Sequence, residues 1–132
     1  DMRACALRET WEEMGIRPQD VEVLGPLDAV LTRTNFLVWP WVGVVPHPYT
    51  FNIDEREVEA VVEIPLKDLL DDGRLRHEAR LQPDGSLLCR PSYAYGEHLI
   101  FGATAWILEQ LISLVREITG PGGANSLGEA VS

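Results

Sequence analysis

Two cysteines are all the chain contains, Cys5 and Cys89. Without C-x-x-C spacing they make neither a zinc site nor a disulfide framework. Both read as small buried hydrophobes, and a reducing, cytoplasmic compartment is the expectation. Basic residues are also scarce: 11 Lys and Arg stand against 21 Asp and Glu, a formal charge of −10. Nucleic acid and anionic membrane surfaces both reward a basic face, so neither is expected as a partner. No apolar run reaches the length of a membrane span, no signal peptide is visible and no repeat is apparent. His47, His77 and His98 share no metal-ligand spacing, and no H-E-x-x-H occurs. An anionic substrate would therefore need a metal or local arginines to approach.

What is present suits one domain. The 132 residues can bury a real core, and 45% hydrophobic with 24% charged residues is ordinary globular composition. The domain is expected over 1–119. After Gly120-Pro121-Gly122-Gly123 the tail 120–132 lacks aromatic residues and is expected to be disordered.

Asp1 to Ile16 organises the rest and reads as a helix. At about 100° per residue, Glu9, Glu12 and Glu13 share one face. Ala4, Leu7, Trp11 and Met14 fall nearly opposite, as a core-packed surface helix requires. Gly15 supplies the stop, being able to take φ > 0 past the last turn. Like charges at these spacings destabilise a helix by roughly 0.2–0.5 kcal/mol per pair. An ordinary solvated face can carry that, but the same spacing also clusters hard oxygen ligands suited to Mg²⁺ or Mn²⁺. Spacing alone leaves both readings open.

Downstream, Val21–Leu24 and Leu27–Leu31 read as short strands around Gly25-Pro26. Phe36–Val45 is a nearly unbroken apolar run, read as a buried strand that Pro40 bends or places at an edge. Asn52–Glu57 is a polar loop leading into a strand over Val58–Ile64. Pro65–Leu70 makes one or two helical turns. Leu75–Leu81 and Ser86–Arg90 pair as a hairpin about Pro83-Asp84-Gly85. Pro91–His98 is a Tyr-rich loop, and Ile100–Thr119 is a second long helix with Ile107, Leu108, Leu111, Ile112 and Val115 as its apolar stripe. Gly102 is expected to permit a close approach at that helix start. The order predicts an α/β (α+β) protein with a sheet core covered by helices.

The segment Arg8-Glu9-Thr10-Trp11-Glu12-Glu13-Met14-Gly15-Ile16 resembles the second half of the Nudix box, R-E-U-x-E-E-x-G-U. Thr10 stands where an aliphatic residue or Ala is usual. The box's opening Gly and first Glu would lie before Asp1, so the domain reads as N-terminally incomplete. Later stretches add to the resemblance and are most similar to the coenzyme A diphosphatase branch. They are Pro40-Trp41-Val42-Gly43, Glu57-Val58 with Pro65-Leu66, and His98 to Ala105, with Phe101 where Trp is common. Leu31 to Phe36 resembles the branch's L-T-x-S-G-F connection more loosely.

The resemblance implies an αβα sandwich with a mixed sheet between helices, less its opening strands. It implies hydrolysis of a nucleoside-diphosphate-linked substrate, with coenzyme A giving 3′,5′-ADP and 4′-phosphopantetheine as the leading case. ADP-ribose or another nucleotide diphosphate is the alternative substrate. A non-catalytic Nudix-fold binding or regulatory domain is the alternative in kind. Glu9, Glu12 and Glu13 would hold Mg²⁺ or Mn²⁺, with Glu9 a third ligand or the general base. Glu57 would be a further ligand or base, or else a solvated residue of an acidic loop. Arg33 would meet a substrate phosphate, and Arg8 and Gly15 would be structural. Some relatives pair, so a homodimer is implied as well.

Overall fold

The computed structural model describes residues 1–119, and these divide into two compact units. The first comprises Asp1–Leu27 and Trp39–Glu63; the second comprises Asp28–Val38 and the described residues from Ile64 onward. The tail expected over 120–132 lies outside the described residues. Among the described residues no helix is long and apolar enough to cross a membrane.

In the first unit, α1 runs Met2–Met14. Asp1 caps it rather than joining it: the carboxylate accepts from the Ala4 amide at 2.7 Å, satisfying one of the unpaired N–H groups of the first turn. Gly15 ends it in the left-handed region at φ 72°, where its N–H returns to the Trp11 carbonyl. The covered face is rotated from the expected one. Cys5, Ala6, Leu7, Thr10, Glu13 and Met14 are half-buried, whereas Ala4 and Trp11 are exposed. Glu13 thus leaves the solvated face that Glu9 and Glu12 keep.

A short 3₁₀ turn, Pro18–Asp20, follows, and the Tyr49 hydroxyl donates to Asp20 at 2.8 Å. Strand β1 (Glu22–Pro26) then pairs antiparallel with β4 (Trp41–Val44), with a register break between Val23 and Gly25.

The second unit opens with β2 (Val30–Leu31) and β3 (Leu37–Val38), a small hairpin. Helix α2 (Leu66–Leu69) leads into β5 (Leu75–Leu81), β6 (Leu87–Tyr95) and β7 (His98–Ile100), an antiparallel sheet in that order. Helix α3 spans Gly102–Thr119. Its buried Ile112 packs with Leu69 and Tyr93, and Leu66, Leu75, Ile100 and Leu108 close round them. The buried Tyr93 hydroxyl donates to the Asp68 carbonyl at 2.7 Å, so this core carries a satisfied polar group.

Several expectations are corrected. The single mixed sheet is replaced by three separate sheets whose described pairings are all antiparallel. Phe36–Val45 is not one buried strand: β3 and β4 belong to different sheets, and Phe36, Leu37 and Trp39 are exposed. Pro40, with no N–H and a fixed φ, ends one ladder and separates it from the next. Val58–Ile64 forms no strand. Its alternation supplies the side-chain pattern, but no described strand lies alongside to complete the ladder. Pro91–His98 is no loop either. β6 continues through Tyr95, and a turn at Gly96 returns the chain as β7, which takes Ile100 from the expected helix start. Gly102 serves by its φ of 66°, since an added Cβ there would meet nothing within 4 Å.

Candidate metal-binding site

The site is built on the end of α1. A helix leaves its last carbonyls without intrahelical partners. Here the loop after Tyr49 fills two of them: the Asn52 amide donates to the Met14 carbonyl at 2.9 Å and the Asp54 amide to the Glu13 carbonyl at 2.8 Å. Gly15 lets that loop come close. The turn from Asp54 is closed by Glu57 and Val58, whose amides donate to the Asp54 carbonyl at 3.0 and 2.9 Å.

Glu57 is thereby brought into the electrostatic field of Glu13. Burial raises the Glu13 carboxyl above its ordinary value, and the charges of Glu9, Glu57, Glu12 and Asp54 push it the same way. Asp54 moves oppositely: hydrogen bonds from the Arg56 side chain, then its amide, lower it. Glu9, Glu12 and Glu57 are exposed, so each can turn toward a ligand.

Positive charge is thin here. Arg8 reaches Glu12 at 3.8 Å, an exposed pair of small energetic weight, and lies 3.8 Å from the Cys5 sulfur. Cys5 is also 3.7 Å from a Glu9 oxygen. Excess carboxylate oxygen is the donor chemistry a hard divalent cation takes. The residues fit Mg²⁺ or Mn²⁺ in type. Among the described residues, no three His, Cys, Asp or Glu side chains are drawn together tightly enough to hold an ion. A cleft of about 400 Å³ adjoins, lined by Glu9 and Glu13 together with Arg3, Thr10, Trp39 and Trp41.

Arg33 belongs to the second unit. It lines a cleft of about 600 Å³ there with Arg90, Trp106 and Glu109. Gln110 clamps that wall through the backbone of Asp28, accepting from its N–H at 2.8 Å and donating to its carbonyl at 3.1 Å. His77 pairs with Glu109. Among the described residues neither Arg33 nor Arg90 makes an ion pair with an acidic side chain.

The structure thus brings Glu9, Glu12, Glu13 and Glu57 into one field and adds Asp54, Arg56 and Arg90 to the candidates. Asp54 followed two residues later by a donor is the sequence sign of a side-chain-capped turn. Within Asn52–Glu57 that sign is masked by a stretch that looks merely polar.

Comparison with known proteins adds the family. The sequence model of the NUDIX domain matches residues 1–84. Proteins named "Uncharacterized Nudix hydrolase NudL" from Salmonella paratyphi B, Salmonella newport and Salmonella heidelberg are each 40% identical over 108 residues. That alignment covers 82% of this chain and 56% of each relative. The chain therefore spans about half the length of the curated relatives it matches.

Proposed function

The chain belongs to the Nudix family, and on that premise we propose that it serves metal-dependent hydrolysis of coenzyme A or its derivatives. Water adds across the diphosphate, one phosphorus–oxygen bond breaks, and 3′,5′-ADP and 4′-phosphopantetheine leave. The observation that carries the proposal is the placing of Glu9, Glu12 and Glu13 on α1, with the turn that bears Glu57 docked on the Glu13 carbonyl through the Asp54 amide.

Glu12 and Glu13 hold Mg²⁺ or Mn²⁺ in this reading, and Glu9 is a third ligand or the base that takes the proton of the attacking water. Glu57 is a further ligand or the alternative base. The cation supplies charge neutralisation of the diphosphate and acidification of the water. Arg33 binds a substrate phosphate. Arg8 and Gly15 support the helix end, Gly15 by admitting Asn52. Coenzyme A is chosen on the resemblance at Pro40–Gly43, Glu57-Val58 and His98–Ala105. A homodimer and a cytoplasmic location belong to the same proposal.

A second reading, a Nudix-fold binding domain without turnover, is favoured by one observation. No three acidic side chains among the described residues close on an ion-sized space.

Turnover of coenzyme A against ADP-ribose, first with Mg²⁺ and then Mn²⁺, tests both. Metal-dependent release of 3′,5′-ADP supports the first reading. Cleavage of ADP-ribose alone moves the substrate. Silence on both from folded protein, with ligand still bound, leaves the second.

A further inference from the structure

We propose that Asp54 is a positioning residue, anchoring to the end of α1 the turn that presents Glu57 to the carboxylate site. The inference rests on the proposed metal-dependent reading only in giving Glu57 a task.

All three polar groups of Asp54 are engaged. Its amide donates to the carbonyl of Glu13, so the turn begins on the residue that bears a site carboxylate. Its carbonyl accepts from Glu57 and Val58 at 3.0 and 2.9 Å. Its carboxylate accepts from Arg56 three times: Oδ1 from the amide at 3.1 Å and from Nε at 3.0 Å, and Oδ2 from Nη2 at 3.0 Å.

Two facts separate positioning from ligation. Both Asp54 oxygens accept from one guanidinium in a two-point grip, and Oδ1 also accepts from the Arg56 amide, so a cation would have to compete with these bonds. The Asp54 side chain is also the covered member of the pair, 24% exposed against 88% for Arg56. Glu57 has the opposite character. It is exposed, it stands in no helix or strand, and the backbone hydrogen bond it donates goes to Asp54. The segment that follows, Val58–Ile64, has no ladder to steady it. The Asp54 turn is what places Glu57.

Asp54→Ala and Asp54→Asn separate the possibilities, because Asn keeps an oxygen for the Arg56 amide. In metal-free protein, amide exchange at Glu57 and Val58 is expected to quicken roughly fivefold in Asp54→Ala, the scale of a lost side-chain cap, and to quicken by less in Asp54→Asn, which keeps the bond to the Arg56 amide but loses the charged guanidinium grip. Mn²⁺ titrated calorimetrically is expected to bind about tenfold more weakly to Asp54→Ala, as for loss of a support behind a ligand. The same loss is expected for Glu57→Gln, with no further loss in the double variant. Arg56→Ala, a change at an exposed side chain, repeats the exchange measurement should Asp54→Ala fold poorly, with quickening again expected.

Unchanged exchange in Asp54→Ala, or in Arg56→Ala where that variant stands in, overturns the inference. So does a Mn²⁺ loss that adds fully to that of Glu57→Gln. If wild type binds no Mn²⁺, or Glu57→Gln binds it as tightly as wild type, the metal task of Glu57 fails instead. The exchange measurement then still decides the role of Asp54.

Discussion

Gly15 and Asn52 meet so closely that a Cβ on Gly15 would stand 2.7 Å from Asn52 Cβ and 2.9 Å from its backbone N and O. The left-handed φ of 72° excludes most side chains independently. Gly15→Ala therefore meets strain and a backbone collision at once, and is expected to lower stability by about 1–3 kcal/mol. Urea unfolding checks it. The substitution also pushes the Asn52–Val58 loop from α1, so Mn²⁺ affinity is expected to fall with it. An unchanged unfolding midpoint would show that the loop yields freely.

Glu12→Gln and Glu13→Gln each keep the side-chain size and remove the charge of a proposed ligand. Turnover at saturating Mg²⁺ is expected to fall by about 100-fold or more in each, the scale of losing one preorganised electrostatic group. Near-normal rates in both variants would end the metal assignment.

The raised Glu13 carboxyl has a signed consequence. The folded protein holds this proton more tightly than the unfolded chain does. Its share of stability is therefore lost as pH rises from the ordinary value of 4.5 through the raised one. In metal-free protein, Glu13→Gln is expected to raise Tm at about pH 7 and to change it little at about pH 3, where the carboxyl is protonated in both states. Added Mg²⁺ is expected to reverse the order at neutral pH by stabilising wild type more than the variant. Calorimetry at the two pH values, with and without Mg²⁺, reads all four cases; a Tm gain of equal size at both pH values would contradict the assignment.

Tyr93 is fully buried and bonded to the Asp68 carbonyl. Tyr93→Phe is expected to cost about 1 kcal/mol for the lost hydrogen bond, and Tyr93→Ala about 3–5 kcal/mol for the cavity. Denaturant midpoints of the two variants compare them directly. Equal losses would mean that the ring contributes nothing beyond its hydroxyl.

Arg33 and Arg90 line the same cleft in the second unit. If that cleft takes the substrate's phosphate, Arg33→Ala and Arg90→Ala are expected to raise KM for coenzyme A about tenfold with kcat held, the signature of lost uniform binding. Steady-state kinetics check it, and an unchanged KM in both removes the cleft from the binding path.

The parts of the fold legible in the residues are those closed by near neighbours. The end of α1 follows from Gly15, and the β5–β6 hairpin from Pro83-Asp84-Gly85, where Asp84 accepts from the Ser86 amide at 2.9 Å. Most of α3 follows from its apolar stripe. The Nudix resemblance at Arg8–Ile16 belongs with these, because its acidic spacing is a property of one helix. Less legible was the extent of β6, since Pro91 and two tyrosines look like loop chemistry until a partner strand is present.

Through propensity and spacing, the sequence alone determined where α1 stops, which residues carry its carboxylates, and that β5 and β6 turn back on each other. Only the tertiary structure decided that Trp41–Val44 pairs with β1 while Leu37-Val38 pairs elsewhere, that Glu13 rotates onto the covered face, and that Asp54 docks on its carbonyl. Each of those depends on a partner remote in sequence. A strand is completed by its neighbour's ladder, a carboxyl is shifted by whatever packs over it, and a loop rests where a helix end has carbonyls left to accept hydrogen bonds.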